Sequence, residues 1–155
     1  MMALQVVLPS SQLVEPVCDL WREYWDSLGL PNEFQGFTTE LHSLPGIYAP
    51  PRGRLLLALV EGAAAGTGAL RPLSETACEA KRLYVRPAFR GTGVGRALVM
   101  RLLDEARAAG YRTIYGDTLP SMHAALRLYR AFGFTDSPPY SPEPTPGAIY
   151  LKLQL

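Results

Sequence analysis

Residues 90–95 read Arg-Gly-Thr-Gly-Val-Gly, set between LYVRPAF and RALVMRLLDEARAAG. Pro87 forces Arg86 into an extended conformation and ends the strand before it, which the residue pattern places at 77–85. After the glycines, Val94, Leu98, Leu102, Ala106 and Ala109 fall on one helical face, with Ala97 and Leu103 beside them, and Gly110 suits the end of that helix. A strand that turns through three alternating glycines into an amphipathic helix is a constrained object. The first N–H groups of a helix have no partner within it, and the macrodipole places partial positive charge there. Glycines permit positive φ and a close approach to the backbone. Together these make a site for an anion, above all a phosphate. The alternative is a helix start that needs a tight turn and nothing more.

The rest of the chain supplies a mixed α/β frame. ALQVVLP (3–9) predicts a strand, with Ser10 or Ser11 as the cap of a following helix. That helix carries apolar residues at 13, 14, 17, 20, 21, 24, 25 and 28 and ends at Gly29. A shorter helix with its loop occupies 31–45, broken at Pro45-Gly46, and 47–54 is a connector. Strands at 55–62 and 64–73 form a hairpin around Glu61-Gly62. After the long helix, 111–118 is a strand. Ser121 is positioned to cap a helix with the stripe Met122, Ala125, Leu126, Tyr129 and Phe132, which Gly133 ends, and 148–155 alternates as a last strand. The order is β-α-α-β-β-β-α-β-α-β.

At 155 residues the chain fits one domain, 1–155, with its own core. A net charge of +1, with no run of Lys and Arg longer than two, argues against nucleic acid and membrane as partners. No apolar run approaches the ~20 residues that span a bilayer. The start, MMALQVVLPSSQL, lacks the basic beginning and long apolar stretch of a secretory leader. Cys18 and Cys78 stand in no metal or redox spacing and read as packing residues, so a reducing cytoplasm is the expected location. His42 and His123 have no companions that suggest a metal, and none is expected.

Among phosphate ligands, the nucleoside triphosphate loop G-x-x-x-x-G-K-[ST] is absent. The dinucleotide fingerprint G-x-G-x-x-G fails in both registers, because its third glycine would fall on Arg96 or Leu98. Asp117, at the end of the next strand, keeps that rival open as a ribose-binding acid. A different pattern fits: [Q/R]-x-x-G-x-[G/A], as Arg90, Gly93 and Gly95. Downstream, ALRLYRAFGF (125–134) matches A-x-x-L-Y-x-x-x-G-F. Both segments, and the order of elements around them, resemble the GNAT superfamily of N-acetyltransferases.

That resemblance implies a mainly antiparallel sheet flanked by helices and splayed between its fourth and fifth strands, with acetyl-CoA as co-substrate. Leu83, Tyr84 and Val85 would line the pantetheine arm, with the Leu83 N–H aimed at the acetyl carbonyl. Backbone N–H groups across Arg90, Gly91, Thr92, Gly93, Val94, Gly95 and Arg96 would hold the diphosphate. The Arg96 side chain either adds charge there or is solvated. Many members carry an asparagine seven residues before the tyrosine of the second motif. Here that residue is Met122, which leaves its contact to Ser121, to water or to nothing.

The implied reaction is acetyl transfer to a primary amine by direct attack through a tetrahedral intermediate. The amine must lose a proton, the oxyanion needs donors, and the thiolate needs an acid. Tyr129 matches the family tyrosine near the coenzyme sulfur and is the candidate acid; a plain core position is the alternative. Glu79 is the candidate base. It lies four residues before Leu83, so in a regular strand both face one way, and a bulge would change that. Lys81 is a ready ion-pair partner for it, and a chain of waters is the other route for the proton. The acceptor side would draw on Trp21, Trp25, Phe34, Phe37, Glu40 and Tyr48, with 135–147 opposite. Glu40 and Asp117 are the acids able to attract a cation, though each also reads as a surface or structural acid. A small amine, an amino acid, an antibiotic, a peptide N-terminus or a lysine all remain acceptors, a homodimer stays open, and a non-catalytic acyl-CoA-binding regulatory module is the alternative function.

Overall fold

The structure, a computed structural model, describes residues 1–141 and 144–155. Its strands are β1 (Met2–Val6), β2 (Arg54–Val60), β3 (Ala63–Pro72), β4 (Ala77–Val85), β5 (Thr113–Thr118), β6 (Thr135–Asp136) and β7 (Ile149–Gln154). The helices are α1 (Val14–Leu28), α2 (Phe37–His42), α3 (Val94–Ala108) and α4 (His123–Ala131). All strands join one sheet in the order β1-β2-β3-β4-β5-β7-β6. Every neighbouring pair is antiparallel except β4 and β5, which run parallel. This is the mixed, mainly antiparallel sheet with flanking helices that the family resemblance implies.

The sheet is covered on both sides, which is why β2 reads as an unbroken apolar run. Leu56 and Ala58 face α3 and α4, in a core with Val94, Leu98, Leu102 and Ile114. Leu55 and Leu57 face α1 and α2, in a second core with Leu20, Trp21, Trp25 and Phe37. Period-two alternation along one strand thus feeds two cores.

Several boundaries differ from the sequence reading, each for a local reason. β1 ends at Val6 because the chain leaves the sheet through Pro9, which has no N–H to pair, and Ser10 at φ +65°. Neither Ser10 nor Ser11 caps α1: Leu13 occupies that position, and the Ser11 hydroxyl accepts from the Leu13 N–H at 3.1 Å. Likewise Ser121 does not cap α4, which Met122 precedes without a side-chain cap. Met122 N–H is spent on a turn to the Leu119 carbonyl at 2.8 Å. The segment 31–45 divides at Gly36, φ +67°, into a short 3₁₀ turn and α2. The hairpin turn has positive φ at both Glu61 and Gly62, so β2 stops at Val60 and β3 begins at Ala63. β5 begins at Thr113 because Tyr111 turns inward and donates its hydroxyl to the Arg52 carbonyl at 2.6 Å. The two-residue β6, which no run of residues announced, pairs with β7 through Thr135↔Lys152.

Gly53 leads into β2 with no room for a side chain. A Cβ there would lie 2.6 Å from Tyr48 Cα and against the Ile47 carbonyl oxygen, both backbone. Gly53→Ala is expected to lower Tm by about 6–12 °C, the equivalent of about 3 kcal/mol of overpacking. Thermal unfolding followed by circular dichroism checks this, and a Tm within error of the parent would refute it.

Candidate active site

The site begins where β4 and β5 part. Their parallel ladder runs Ala77↔Thr113, Cys78↔Ile114, Glu79↔Tyr115 and Ala80↔Gly116, then stops, while the strands continue to Val85 and Thr118. The fork opens into a cavity of about 580 Å³. Leu83, Tyr84, Val85 and Phe89 line one part of it, and Arg90, Gly91, Gly93, Gly95 and Arg96 another. Ser121 and Met122 close it from the α4 side.

The three glycines serve two purposes. Gly91 and Gly93 have φ of +77° and +91°, with nothing within 4 Å of a Cβ at either, and Gly93 is the residue preceding α3. They shape the turn that delivers open N–H groups to the cavity. Gly95 is about proximity: its Cβ would come 3.3 Å from Leu128 Cδ2 and 3.6 Å from Val85 Cγ2, so α3 can lie close to α4 and β4. Thr92 and Val94 are not among the lining residues. The Thr92 hydroxyl donates back to the Phe89 carbonyl, and the Val94 side chain is buried in the core, which leaves only their backbones to a ligand. Arg90 donates from Nε to the Val85 carbonyl at 3.0 Å, and Arg96 sits 5.2 Å from the Phe132 ring centroid. A glycine backbone flanked by two guanidinium groups, opening onto an apolar strand edge, fits a ligand with a diphosphate and an extended arm.

Tyr129 reaches the fork from α4. A Cβ on Gly116, the last residue of β5 paired with β4, would lie 3.7 Å from Tyr129 Cζ and 3.9 Å from its hydroxyl. The ring packs edge-on against Phe134 at 4.9 Å. Its hydroxyl makes no hydrogen bond among the described residues. Burial pushes the phenol well above its ordinary pKa, and the charges of Asp117 and Glu79 push the same way. The group is therefore a protonated donor with a vacant acceptor direction. Core packing and an exposed chemical tip coexist in one side chain.

Glu79 does not share a face with Leu83. Register shifts between Thr67↔Tyr84 and Ala69↔Lys81, so β4 carries one extra residue, and Arg82 takes φ +58° within it. This bulge flips the alternation. Leu83 packs with the α3 core, while Arg82 and Tyr84 sit on the α1 side. Glu79 is 4% exposed, accepts from the Tyr140 hydroxyl at 2.9 Å, and pairs with Arg71 at 3.4 Å. Burial raises its pKa, against the pull of Lys81, Tyr140 and Arg71. Lys81 acts on it through charge and is itself held below its ordinary pKa, chiefly by burial.

A second, smaller space of about 30 Å³ adjoins the fork and shares Tyr24, Leu28 and Met122 with the larger cavity. Trp25, Arg82, Asp117 and Thr145 complete much of its wall. The Arg82 guanidinium lies 4.7 Å from the Trp25 ring and 5.5 Å from Trp21, and donates from Nη2 to Glu40 at 3.1 Å. Glu40 also accepts from the Tyr48 hydroxyl, so it is a structural acid holding Arg82. Trp21, Trp25, Phe37 and Tyr48 are core residues and Phe34 packs against them. Within 135–147, Thr145 and Tyr140 reach the site, whereas Pro142 and Glu143 lie outside the described residues. His123 lines the larger cavity, and no cluster suited to a metal occurs among the described residues. Nor is any described helix long and apolar enough to cross a membrane.

Arg82, Tyr24 and Tyr140 are the residues that the sequence reading missed. For Arg82 a signal existed. Polar residues at 79 and 81 alternate with Cys78 and Ala80, and a further charge at 82 breaks the phase, which is what a bulge does to a pattern.

Asp117 is largely buried and its pKa is raised, burial outweighing the positive charges of Lys81 and Arg82. A carboxyl group whose pKa is higher folded than unfolded stabilises most below its ordinary value and progressively less as pH rises through the folded value. Asp117→Asn is therefore expected to raise Tm at pH 7, with the advantage shrinking toward pH 4. Calorimetry at the two pH values checks the sign; a lower Tm at pH 7 would overturn it.

The sequence profile described as the Acetyltransferase (GNAT) family matches residues 15–134. An uncharacterized N-acetyltransferase of Schizosaccharomyces pombe is 38% identical over 138 residues, covering 88% of this chain and 85% of that protein. Among solved structures, an acetyltransferase from Streptococcus agalactiae superposes with a TM-score of 0.83 at 19% identity, covering 99% of this chain and 98% of that one. A GNAT family acetyltransferase from Elizabethkingia anophelis with acetyl-CoA bound has a TM-score of 0.70 at 21% identity, covering 99% and 98%. These likenesses bear on the fold.

Proposed function

This chain belongs to the GNAT acetyltransferase family, and on that premise we propose that residues 1–155 act as one domain that moves the acetyl group of acetyl-CoA to a primary amine by direct attack through a tetrahedral intermediate. The thioester supplies an activated acyl group. In this reading the chain's own residues do the rest. Backbone N–H groups of Gly91, Thr92, Gly93, Val94, Gly95 and Arg96 hold the diphosphate, whereas the Arg90 N–H, expected to join them, donates to the Pro87 carbonyl at 3.3 Å and leaves that residue only its guanidinium. Leu83, Tyr84 and Val85 hold the arm along the free edge of β4, and Ser121 borders it from the α4 side. The Leu83 N–H faces the carbonyl oxygen and stabilises charge that develops there. Tyr129 gives its proton to the departing sulfur. Glu79, already engaged by Tyr140 and Arg71, accepts the amine's proton through water rather than by direct contact.

One observation carries the proposal: the strand fork leads from the glycine turn to a tyrosine hydroxyl with no protein hydrogen-bond partner among the described residues. A binding module that only senses an acyl-CoA has no use for such a group. Two reduced cysteines, Cys18 and Cys78, support the cytoplasm as the place of work.

The test is an amine library incubated with protein and acetyl-CoA, with free thiol followed over time. Thiol release that depends on amine is the expected result. Stabilisation by acetyl-CoA without turnover of any amine would favour the regulatory module, and stabilisation by NAD instead would favour the dinucleotide reading.

A further inference from the structure

Resting on the transferase reading above, we propose that Arg82 and Asp117 form a dipolar subsite whose acceptor is a small α-amino acid, its amine at Asp117 and its carboxylate at Arg82.

The argument starts at the fork. The ladder ends at Ala80↔Gly116, and the two charged residues stand just past it, Asp117 on β5 and Arg82 on β4. The Arg82 bulge brings a residue that regular alternation would point at α3 onto the α1 side. Asp117 follows Gly116, whose own face meets Tyr129, so alternation turns Asp117 to the same α1 side. Both residues line the smaller space, which joins the larger cavity along Tyr24, Leu28 and Met122. A ligand amine at Asp117 is therefore one residue along β5 from the glycine that faces the Tyr129 hydroxyl.

The charges match a zwitterion and little else. Asp117 supplies the negative end. Arg82 supplies the positive end, is 6% exposed, and leaves Nε buried without a partner among the described residues. Its Nη2 is bound to Glu40, and the rings of Trp21 and Trp25 fix its plane. A buried guanidinium held in one orientation is a carboxylate receptor that has already lost its freedom. The space of about 30 Å³ admits a head of few heavy atoms, which favours two charges carried close together on one small ligand. The side chain of the amino acid then points toward the larger opening. Glu79, the other acid of this face, is taken by Tyr140 and Arg71 and lines neither space.

The experiment compares L-alanine, L-alaninamide and ethylamine as acceptors by thiol release at saturating acetyl-CoA. L-alanine is expected to exceed both neutral-tailed analogues in kcat/KM by about 100-fold, because only a carboxylate gives the buried, unpartnered Arg82 Nε a charged acceptor beside its Glu40 pair. Asp117→Asn is expected to raise the KM for L-alanine by about tenfold with the KM for acetyl-CoA unchanged. Turnover of ethylamine or the amide equal to that of L-alanine overturns the dipolar subsite and leaves the transferase reading standing. An unchanged KM for L-alanine in Asp117→Asn overturns the role of Asp117. No turnover of any of the three overturns the subsite, and the amine library then decides separately whether the chain is a transferase.

Discussion

Tyr129→Phe is expected to bind acetyl-CoA as the parent does and to lose most of its turnover, with kcat down by about 100-fold. The parent hydroxyl has no hydrogen-bond partner among the described residues, so its removal breaks no internal contact. The phenyl ring keeps its edge-on packing against Phe134 and its place over Gly116. Tm should therefore stay level, because the substitution removes no internal hydrogen bond and keeps the packing of the ring. A factor of 100 corresponds to about 2.7 kcal/mol of transition-state stabilisation, a reasonable share for one positioned proton donor. The raised pKa adds a second readout. A phenol held well above its ordinary value stays protonated at higher pH, so kcat in the parent should show no fall near pH ~10, where free tyrosine titrates. Steady-state kinetics with a thermal shift on the same sample checks all three statements. Unchanged turnover in the variant would remove Tyr129 from the chemistry.

The second large effect concerns the donor end. Gly93 precedes α3 at φ +91°, ψ +1°, a conformation that disfavours a β-branched residue. Gly93→Val meets no steric block, since nothing lies within 4 Å of the position, so its effect is conformational. The strain is about 1–2 kcal/mol, and the turn can hold it or relax. Held, it lowers Tm by about 2–8 °C. Relaxed, it turns the leading N–H groups away from the cavity and raises the KM for acetyl-CoA by about 5–30-fold. Gly110 provides the control: it has φ +88° and open space at its Cβ, but lies at the other end of α3, away from the cavity. Gly110→Val should lower Tm with no change in KM. If Gly93→Val leaves both Tm and the KM for acetyl-CoA at the parent's values, the turn neither stores that strain nor holds the coenzyme.

These two residues illustrate how much the chain shows before it folds. The glycine turn, the stripe of α3 and the A-x-x-L-Y-x-x-x-G-F segment are local patterns, dictated by backbone freedom and helical period, and each is readable within a dozen residues. They carried the family, the sheet class and the splay between β4 and β5. Helix and strand ends were read less well, because a cap depends on where a turn spends its N–H groups. At Ser121 the deciding contact was Met122 N–H to Leu119, which no propensity records.

By itself, the sequence determined the fold family and the two segments that border the larger cavity, since period and glycine placement act over short distances. Only the tertiary structure decided what stands on the α1 side of the strand fork. The bulge at Arg82 turned Glu79 and Leu83 to opposite faces, and Tyr140, 61 residues from Glu79 along the chain, supplied that carboxylate's hydrogen bond. The physical reason is that one inserted residue reverses the facing of every side chain after it. The partners of a buried charge, moreover, are chosen by proximity in space, which period and propensity do not encode.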